Sequence, residues 1–311
     1  MSSTHVDVPR ADRTIVHPLT GPVFIDGAEP GDLLAVEILD VQTGAFGYTA
    51  QIPGFGFLHD EFPAPFLARW EIADGWATSP DLPGVRIPGQ PFMGIMGVAP
   101  SRDLLEQISR RERELTAGGV DVALPEQRGA VPEDAAIARE GLRTKPPREH
   151  GGNLDVKQMV AGTRVLFPVW TDGALFSAGD GHFAQGDGEV CGTAIETAAT
   201  LHARFDLVKA GAARGVRDVT LYGTRTAALG GEYVATTGLS LYAEAGGQAE
   251  DLTGAVRSAL RNMIDLLTEE HGYTRQQAYA ICSVAVDLKI SEIVDTPNFV
   301  VTAELPLDVL A

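Results

Sequence analysis

The chain has 311 residues, which allows a sizeable buried core, and its formal charge of −18 at pH 7 argues against nucleic acid and anionic membranes as partners, because both are negatively charged. Its two cysteines, Cys191 and Cys282, provide no disulfide framework, and no apolar run is long enough to cross a bilayer. These features predict a cytoplasmic protein.

Glycine and proline are frequent, with 35 and 19 residues, and they separate short runs of Val, Ile and Leu. This pattern predicts many tight turns between short strands, and therefore a mainly β (α+β) fold. Residues 23–41 alternate apolar runs with a turn and predict a hairpin. Residues 44–58 are rich in glycine and predict a loop, whereas residues 88–100 predict a short buried strand.

Residues 101–149 differ from the preceding part of the chain, because charged residues, glycine and proline replace most of the apolar ones. We expect a surface excursion here with one or two short helical turns, for example at residues 134–139. Such an excursion can be a lid, a partner contact or a solvated insertion without a role.

The second half of the chain again predicts strands, followed by helices and two closing strands. The predicted strands are residues 163–170, 175–176, 201–208, 219–242 and 289–305. Apolar residues at helical spacing predict an amphipathic helix over residues 256–267. Thr274 with Gln277 resembles a capping box that opens a second helix through residue 285.

Three pairs of polar residues, each two positions apart, stand in the glycine-bordered stretch between His150 and Glu196. The pairs are Asn153/Asp155, Asp180/His182 and Asp187/Glu189. In extended backbone, residues two apart point to the same side, so each pair can present two polar groups to one cavity. The pairs therefore predict a functional site.

A dense set of carboxylates with an imidazole suits a divalent metal ion. Mixed Asp/His ligation favours Zn²⁺ or a related transition ion, and ligation by oxygen alone favours Ca²⁺. Such an ion activates water and polarises a carbonyl while a nearby carboxylate moves protons, which is the chemistry of a hydrolase. The alternative is that these Asp and Asn residues only cap turns in a glycine-rich stretch.

Other catalytic mechanisms lack their motif in this sequence. There is no Gly-x-Ser-x-Gly elbow, phosphate-binding loop, dinucleotide fingerprint or His-x-x-x-His pair. A thiol mechanism remains open, because Cys191 stands close to Glu189 and Lys157 lies in the same stretch, as in amidases that use Cys, Glu and Lys. The setting of Cys191 between Val190 and Gly192 is more typical of a small core residue.

The sequence resembles the acetamidase/formamidase family in four segments, from about Thr20 to the C-terminal strands. These are TGPVFIDGAEPGDLLAVEILDV, PGFGFL, GGNLDVKQMVAGTRVLFPVW and, most specifically, GALFSAGDGHFAQGDGEVCGTAIE. The resemblance implies hydrolysis of formamide, acetamide or similar short aliphatic amides to carboxylate and ammonia. It also implies a bound divalent metal, a homo-oligomer, and a fold of intertwined β-sandwich-like lobes with a few C-terminal helices.

From this we expect a single domain over residues 1–311, with β-rich lobes at about 15–100 and 150–311. The expected metal ligands are Asp155, Asp180 and His182, with Zn²⁺ preferred and Ca²⁺ as the alternative. Glu189 is expected to act as general base and acid, and Asn153 as a donor to the developing oxyanion. Asp187, from the third pair, joins them as a catalytic candidate.

The sequence departs from the family pattern in two places. Family members usually carry a further β-rich segment before the TGP block, where about nineteen residues stand here, and the excursion at residues 101–149 is longer than the family leads us to expect. If a site group comes from that segment, this chain has an altered specificity or is a non-catalytic binding or assembly protein.

Overall fold

A computed structural model describes residues 4–56, 63–81, 86–130, 132–185, 189, 191–212, 215–225, 231–240, 251–273 and 287–307. Within these ranges strands predominate, and the α-helices are α1 (Arg102–Ala117), α2 (Ala135–Glu140) and α3 (Leu252–His271). The predicted mainly β fold with few helices is therefore confirmed. No helix in this part of the chain has the length and apolar character that a membrane span requires.

The described strands form one antiparallel, fourteen-stranded sheet. They are β1 (Leu19–Val23), β2 (Leu33–Gln51), β3 (Phe66–Ala73), β4 (Trp76–Thr78), β5 (Arg86–Pro88), β6 (Phe92–Gly97), β7 (Gly151–Asn153), β8 (Arg164–Pro168), β9 (Phe176–His182), β10 (Glu196–Val208), β11 (Thr220–Arg225), β12 (Gly231–Leu239), β13 (Asp287–Glu292) and β14 (Val300–Pro306). The main path through the sheet is β13-β14-β12-β11-β8-β2-β10-β9-β6-β7.

The long strand β2 connects the two halves of the chain, since it pairs with β8, β10 and β3. The predicted hairpin at residues 23–41 is wrong, because β1 pairs with β9 and not with β2. The predicted loop at residues 44–58 is also wrong as far as Gln51, where β2 ends. Gly47 belongs to the strand because β10 approaches it closely: an added Cβ would lie 2.8 Å from Ile195 Cγ2.

The remaining strand predictions are confirmed by β6, β8, β9, β10, β11, β12, β13 and β14.

The main hydrophobic core is formed by buried side chains of the strands, such as Leu34, Phe92, Met96, Phe167 and Phe176. Helix α3 matches the predicted helix at 256–267 and buries Met263 and Leu267 against β12 and β14. The second predicted helix, at 274–285, lies outside the described residues. The division into two lobes stays a prediction.

The excursion at residues 101–149 holds more helix than the sequence predicts. Helix α2 agrees with the expected turn, and the Asp134 carboxylate caps it by accepting from Ala136 N and Ile137 N. Helix α1, however, has 16 residues, so the expectation of short turns alone is wrong. Its buried face consists only of Leu104, Ile108 and Glu112, and the charged solvent-facing side dominates its composition.

A buried ion pair ties α1 to the chain just before β7. Arg148 Nε donates to Glu112 Oε1 at 2.7 Å, and the side chains of the pair are 3% and 1% exposed. Arg148 Nη1 also donates to the carbonyl oxygens of Arg143 and Pro146. The guanidinium therefore fixes the last residues of the excursion next to the strand that leads into the polar stretch.

We expect Arg148→Ala to lower the free energy of unfolding by about 3–5 kcal/mol, because it leaves the Glu112 carboxylate buried without its partner. Urea denaturation followed by circular dichroism measures this change. Arg110→Ala, on the exposed side of α1, is the matched control and should change stability by less than about 0.5 kcal/mol. Equal effects of the two changes would contradict a structural role of the buried pair.

Candidate active site

Strand β6 brings two of the predicted polar pairs together. It lies between β7 and β9, with Ile95 opposite Asn153 and Phe92 opposite His182. The pairs are 27 residues apart in sequence but are only one strand apart in the sheet. Antiparallel pairing on both sides of β6 therefore places Asn153, Asp155, Asp180 and His182 around one point.

Gly94 occupies that point on β6. A Cβ added to Gly94 would overlap Asp155 Oδ1, and it would lie 2.9 Å from both Asp180 Oδ2 and His182 Cε1. No larger residue fits here without moving the polar side chains. The sequence marks this position only as one of several glycines in a buried strand, so its role was not predictable.

His182 lies at the centre of the polar cluster and its side chain is fully buried. Its Nε2 atom is 3.3 Å from Glu196 Oε2, 3.4 Å from Asp180 Oδ1 and 3.9 Å from Glu189 Oε1. The edge of the Phe92 ring packs against the imidazole at a centroid distance of 5.0 Å. One nitrogen of the imidazole thus faces three carboxylates.

Gln185 sets the orientation and tautomer of this imidazole. Its Nε2 donates to the carbonyl oxygen of Asp155 at 2.9 Å, which leaves Oε1 to contact His182 Nδ1 at 3.0 Å. Because an amide oxygen can only accept, Nδ1 carries the hydrogen in this pair. In the neutral imidazole the lone pair of Nε2 is then directed toward the three carboxylates.

Asp155 and Asn153 form the other side of the cluster. Asn153 Nδ2 donates to Asp155 Oδ2 at 2.9 Å and also to Asp295 Oδ2. Asp155 Oδ1 lies 3.8 Å from His182 Nδ1 and has no hydrogen-bond partner, although the residue is buried. Both amide hydrogens of Asn153 are engaged, so in this arrangement Asn153 positions carboxylates.

Three of the site carboxylates sit on backbone that is unfavourable for residues other than glycine. The φ angles of Asp155, Asp180 and Glu189 are 47°, 59° and 46°. Such left-handed conformations cost energy and persist where surrounding contacts impose them. Their occurrence at three carboxylates that face one imidazole supports a functional constraint at this point.

The site buries more negative than positive charge. Burial raises the pKa of Asp155 and Glu189 well above the usual range, and neighbouring carboxylates add to both shifts. Burial acts in the same direction at Asp180, but His182 outweighs it and holds the pKa of Asp180 below its usual value. Burial alone would lower the pKa of His182, yet the charges of Glu196 and Asp180 raise it well above normal.

Several observations show that the donor set fits a divalent cation. Two groups of ligand atoms, Asp155/His182/Glu189 and Asp180/His182/Glu196, each lie within 4.8 Å of one another. His182 Nε2 and Asp155 Oδ1 are buried without a hydrogen bond of good geometry. Buried carboxylates are costly unless a cation balances them, and one imidazole with several carboxylates is a common donor set for transition ions.

The structure describes five of the six residues that the sequence predicts for the site. The structure brings together Asn153, Asp155, Asp180, His182 and Glu189. Asp187 lies outside the described residues. His150 is half-buried and its Nδ1 atom is buried without a hydrogen bond; desolvation, followed by the charge of Arg148, lowers the pKa of His150 to about 3.

Three contributors to the site were missed. Glu196 lies next to His182 Nε2 and stands in a segment that matches the family, but outside the three pairs. Asp295 contacts Asn153, and His17 Nε2 lies 3.9 Å from Asp180 Oδ2. His17 and Asp295 are far from the polar stretch in sequence, and no local pattern identifies them.

Cys191 makes different contacts from those of the polar cluster. Its Sγ lies 3.5 Å from the carbonyl oxygen of Thr193 and 3.8 Å from Thr193 Oγ1. The thiol is half-buried. A nucleophilic thiol needs a nearby base, and the contacts found for Sγ are to a carbonyl and a hydroxyl group.

The polar cluster opens into a cleft of about 1010 Å³. Asp180, Glu189, Glu196 and Asp295 line it, together with residues from the N-terminal part of the chain and from β2. The excursion also borders this cleft, through Asp121, Ala123, Glu126, Arg143 and Lys145. The site is therefore accessible to a small molecule, and distant parts of the chain form its walls.

The chain is similar to known proteins over nearly its whole length. The model of the Acetamidase/Formamidase family matches residues 2–311. A formamidase of Methylophilus methylotrophus is 39% identical, covering 97% of this chain and 79% of that protein, and an acetamidase of Mycolicibacterium smegmatis is 40% identical, covering 88% and 74%. The solved structure of a gamma lactamase from Delftia acidovorans has a TM-score of 0.70 at 35% identity, covering 99% of this chain and 80% of that one. The chain belongs to the Acetamidase/Formamidase family.

Proposed function

We propose that this protein hydrolyses the C–N bond of short aliphatic amides such as formamide and acetamide, releasing the carboxylate and ammonia. The central observation is the fully buried His182, whose Nε2 faces three carboxylates at the end of an open cleft. The formamidase and acetamidase among the relatives support the substrate class.

A divalent metal, with Zn²⁺ as the first choice and Ca²⁺ as the alternative, completes this site. We infer that His182 Nε2, Asp180 and Glu196 hold it, with Asp155 as a further ligand, because all four residues belong to the two ligand groups. When bound, the cation supplies Lewis-acid polarisation of the amide carbonyl. Glu196 thus joins the ligands expected from the sequence.

Glu189 is the proposed proton carrier. It is buried, lines the cleft and has a raised pKa through burial and the charge of Asp155. A carboxylate with a raised pKa takes a proton from water more readily and can pass it to the departing amine. Asp187 remains a second catalytic candidate from the sequence. For Asn153, expected from the sequence as a donor to the oxyanion, we propose instead that it holds Asp155 and Asp295 in place, because its amide donates to both.

A cytoplasmic location and a homo-oligomeric state are further proposals. The first rests on the low cysteine content and the second on the family resemblance. Size-exclusion chromatography with light scattering measures the oligomeric state, and a monomer would overturn that part of the proposal.

The direct test is ammonia release from formamide and acetamide, before and after dialysis against a chelator. We expect turnover to fall by at least ~100-fold on chelation and to return with Zn²⁺. Zn²⁺ at 100 times its Kd should also stabilise the fold by about 2.7 kcal/mol, which thermal unfolding detects. Turnover that is insensitive to chelation would remove the metal from the mechanism, and no ammonia from formamide, acetamide or a longer primary amide would reject the amidase.

A thiol mechanism and a metal mechanism predict opposite effects of replacing Cys191. We expect Cys191→Ala to keep ammonia release within ~3-fold of the wild type, because the Sγ contacts are to Thr193 and not to a base. Steady-state kinetics with formamide measures this effect. A loss of ~100-fold or more in a folded Cys191→Ala protein would instead support a thiol amidase.

Gln185 provides a test of the metal site that is independent of turnover. Gln185→Leu should weaken Zn²⁺ binding by roughly 10- to 100-fold, because Nδ1 of His182 loses the acceptor that fixes the tautomer. Gln185→Glu keeps an acceptor for the same hydrogen and should restore most of the affinity. Competition titration with a chromophoric chelator measures both values, and equal affinities of the two variants would contradict this role.

A further inference from the structure

One wall of the cleft is apolar and follows a single face of β2. Phe46, Tyr48, Ala50 and Ile52 are alternate residues, and all four line the cleft. Because side chains two apart in a strand point the same way, Phe46, Tyr48 and Ala50 form a row on β2, and Ile52 follows directly after the end of the strand. Leu67, opposite Ala50 on β3, and Val8, from the N-terminal part, pack with Ala50 and extend the row into a surface. We call these six residues the apolar wall.

The apolar wall begins beside the carboxylates. Tyr48 is opposite Glu196 in the pairing of β2 with β10, and Glu196 lies 3.3 Å from His182 Nε2. From Phe46 to Ala50 strand β2 advances four residues, or about 13 Å at ~3.3 Å per residue. A molecule that places its polar end at His182 can therefore lay an extended apolar tail along this strand.

The cleft is also far larger than the smallest amides require. Acetamide needs on the order of 100 Å³ if each of its few heavy atoms takes up roughly the ~30 Å³ of a water molecule. The cleft measures about 1010 Å³, which is the size of pockets that hold much larger ligands. Val8, Ala50 and Leu67 are buried against each other, so formamide or acetamide would leave the accessible parts of the wall, on Phe46, Tyr48 and Ile52, uncovered.

We infer that the preferred substrates are primary amides whose acyl group is a medium-length alkyl or arylalkyl chain, and that this chain lies on the apolar wall. The inference rests on the proposed amidase function and extends its substrate class from formamide and acetamide to amides with longer acyl chains. Of the charged residues that line the cleft, Lys145 lies close to Asp295 of the polar cluster. Lys145 Nζ lies 3.9 Å from Asp295 Oδ1 and 4.1 Å from the centroid of the Phe55 ring, so its charge is already engaged.

Calorimetry and kinetics with acetamide, butyramide and hexanamide test the inference. We expect hexanamide to bind at least ~10-fold more tightly than acetamide, since each buried methylene is worth up to ~4-fold, and kcat/KM to rise in the same order. Ile52→Asn and, independently, Ala50→Phe should remove most of the difference between the two amides. Leu39→Asn, on an exposed part of β2, is the matched control and should retain it.

The outcomes separate the inference from the proposed function. Ammonia release from acetamide with no gain in binding or kcat/KM for hexanamide would overturn the inference and leave the amidase intact. Tighter binding of hexanamide without ammonia from any amide would support the apolar wall as an acyl site and reject the amidase. Variants at Ile52 and Ala50 that both retain the full preference for hexanamide would show that the chain lies elsewhere.

Discussion

Replacing His182 by alanine should abolish stoichiometric metal binding and lower kcat/KM for formamide on the order of 10³-fold or more. The imidazole is the only nitrogen ligand in the two ligand groups found among the described residues, and both groups share it. Its removal leaves buried carboxylates around an empty space, and their mutual repulsion then lacks its main balancing charge. Metal analysis of the purified variant and steady-state kinetics measure the two effects.

A matched control is available on the neighbouring strand. His202 lies on β10 with an exposed side chain, so His202→Ala should retain both metal and activity. Circular dichroism and thermal unfolding establish whether His182→Ala is folded, because loss of the Phe92 contact also weakens the core. A folded His182→Ala protein that keeps its metal and turns over formamide would refute the proposed site.

Gly94→Ala should reduce kcat/KM for formamide by about 100-fold or more without removing any polar group. The added methyl group would overlap Asp155 Oδ1 and crowd Asp180 and His182, so the ligands must move apart. A displacement of about 1 Å at reacting groups is sufficient for a loss of this size. The effect should appear as weaker Zn²⁺ binding and lower kcat, measured by chelator competition and by ammonia release.

The control for this change is another glycine-to-alanine substitution. An added Cβ at Gly211 would meet nothing within 4 Å, and its backbone is not in the left-handed region, so Gly211→Ala should behave as wild type. If Gly94→Ala binds metal and substrate normally, the carboxylates have room to shift, and the close packing around β6 is not essential for activity.

The predictions for His182→Ala and Gly94→Ala test two different features of the polar cluster. His182 supplies an imidazole nitrogen, whereas Gly94 supplies only space, yet both lie where β6 meets β9. The left-handed φ angles of Asp155, Asp180 and Glu189 indicate that the backbone is held in place for the carboxylates. The site therefore depends on backbone position as much as on the chemical groups it presents.

Predictions from sequence were accurate where the pattern is local. The alternation in residues 201–208 and the helical spacing in residues 256–267 were recognised because each periodicity belongs to one element. The loop predicted at residues 44–58 was wrong as far as Gln51, because glycine in a strand looks the same in sequence as glycine in a turn. Only the close approach of β10 to Gly47 explains that glycine.

The sequence by itself determined the mainly β class of this protein and its principal polar residues, since turn composition and spacing-two pairs are properties of short segments. Tertiary structure alone decided that β6 separates the two pairs and that Gly94 leaves room for them. It also decided that Glu196 and Asp295 complete the cluster and that β2 forms the apolar wall beside it. The reason is physical: which strands pair depends on contacts between residues distant in sequence, and no local pattern encodes the choice of partner.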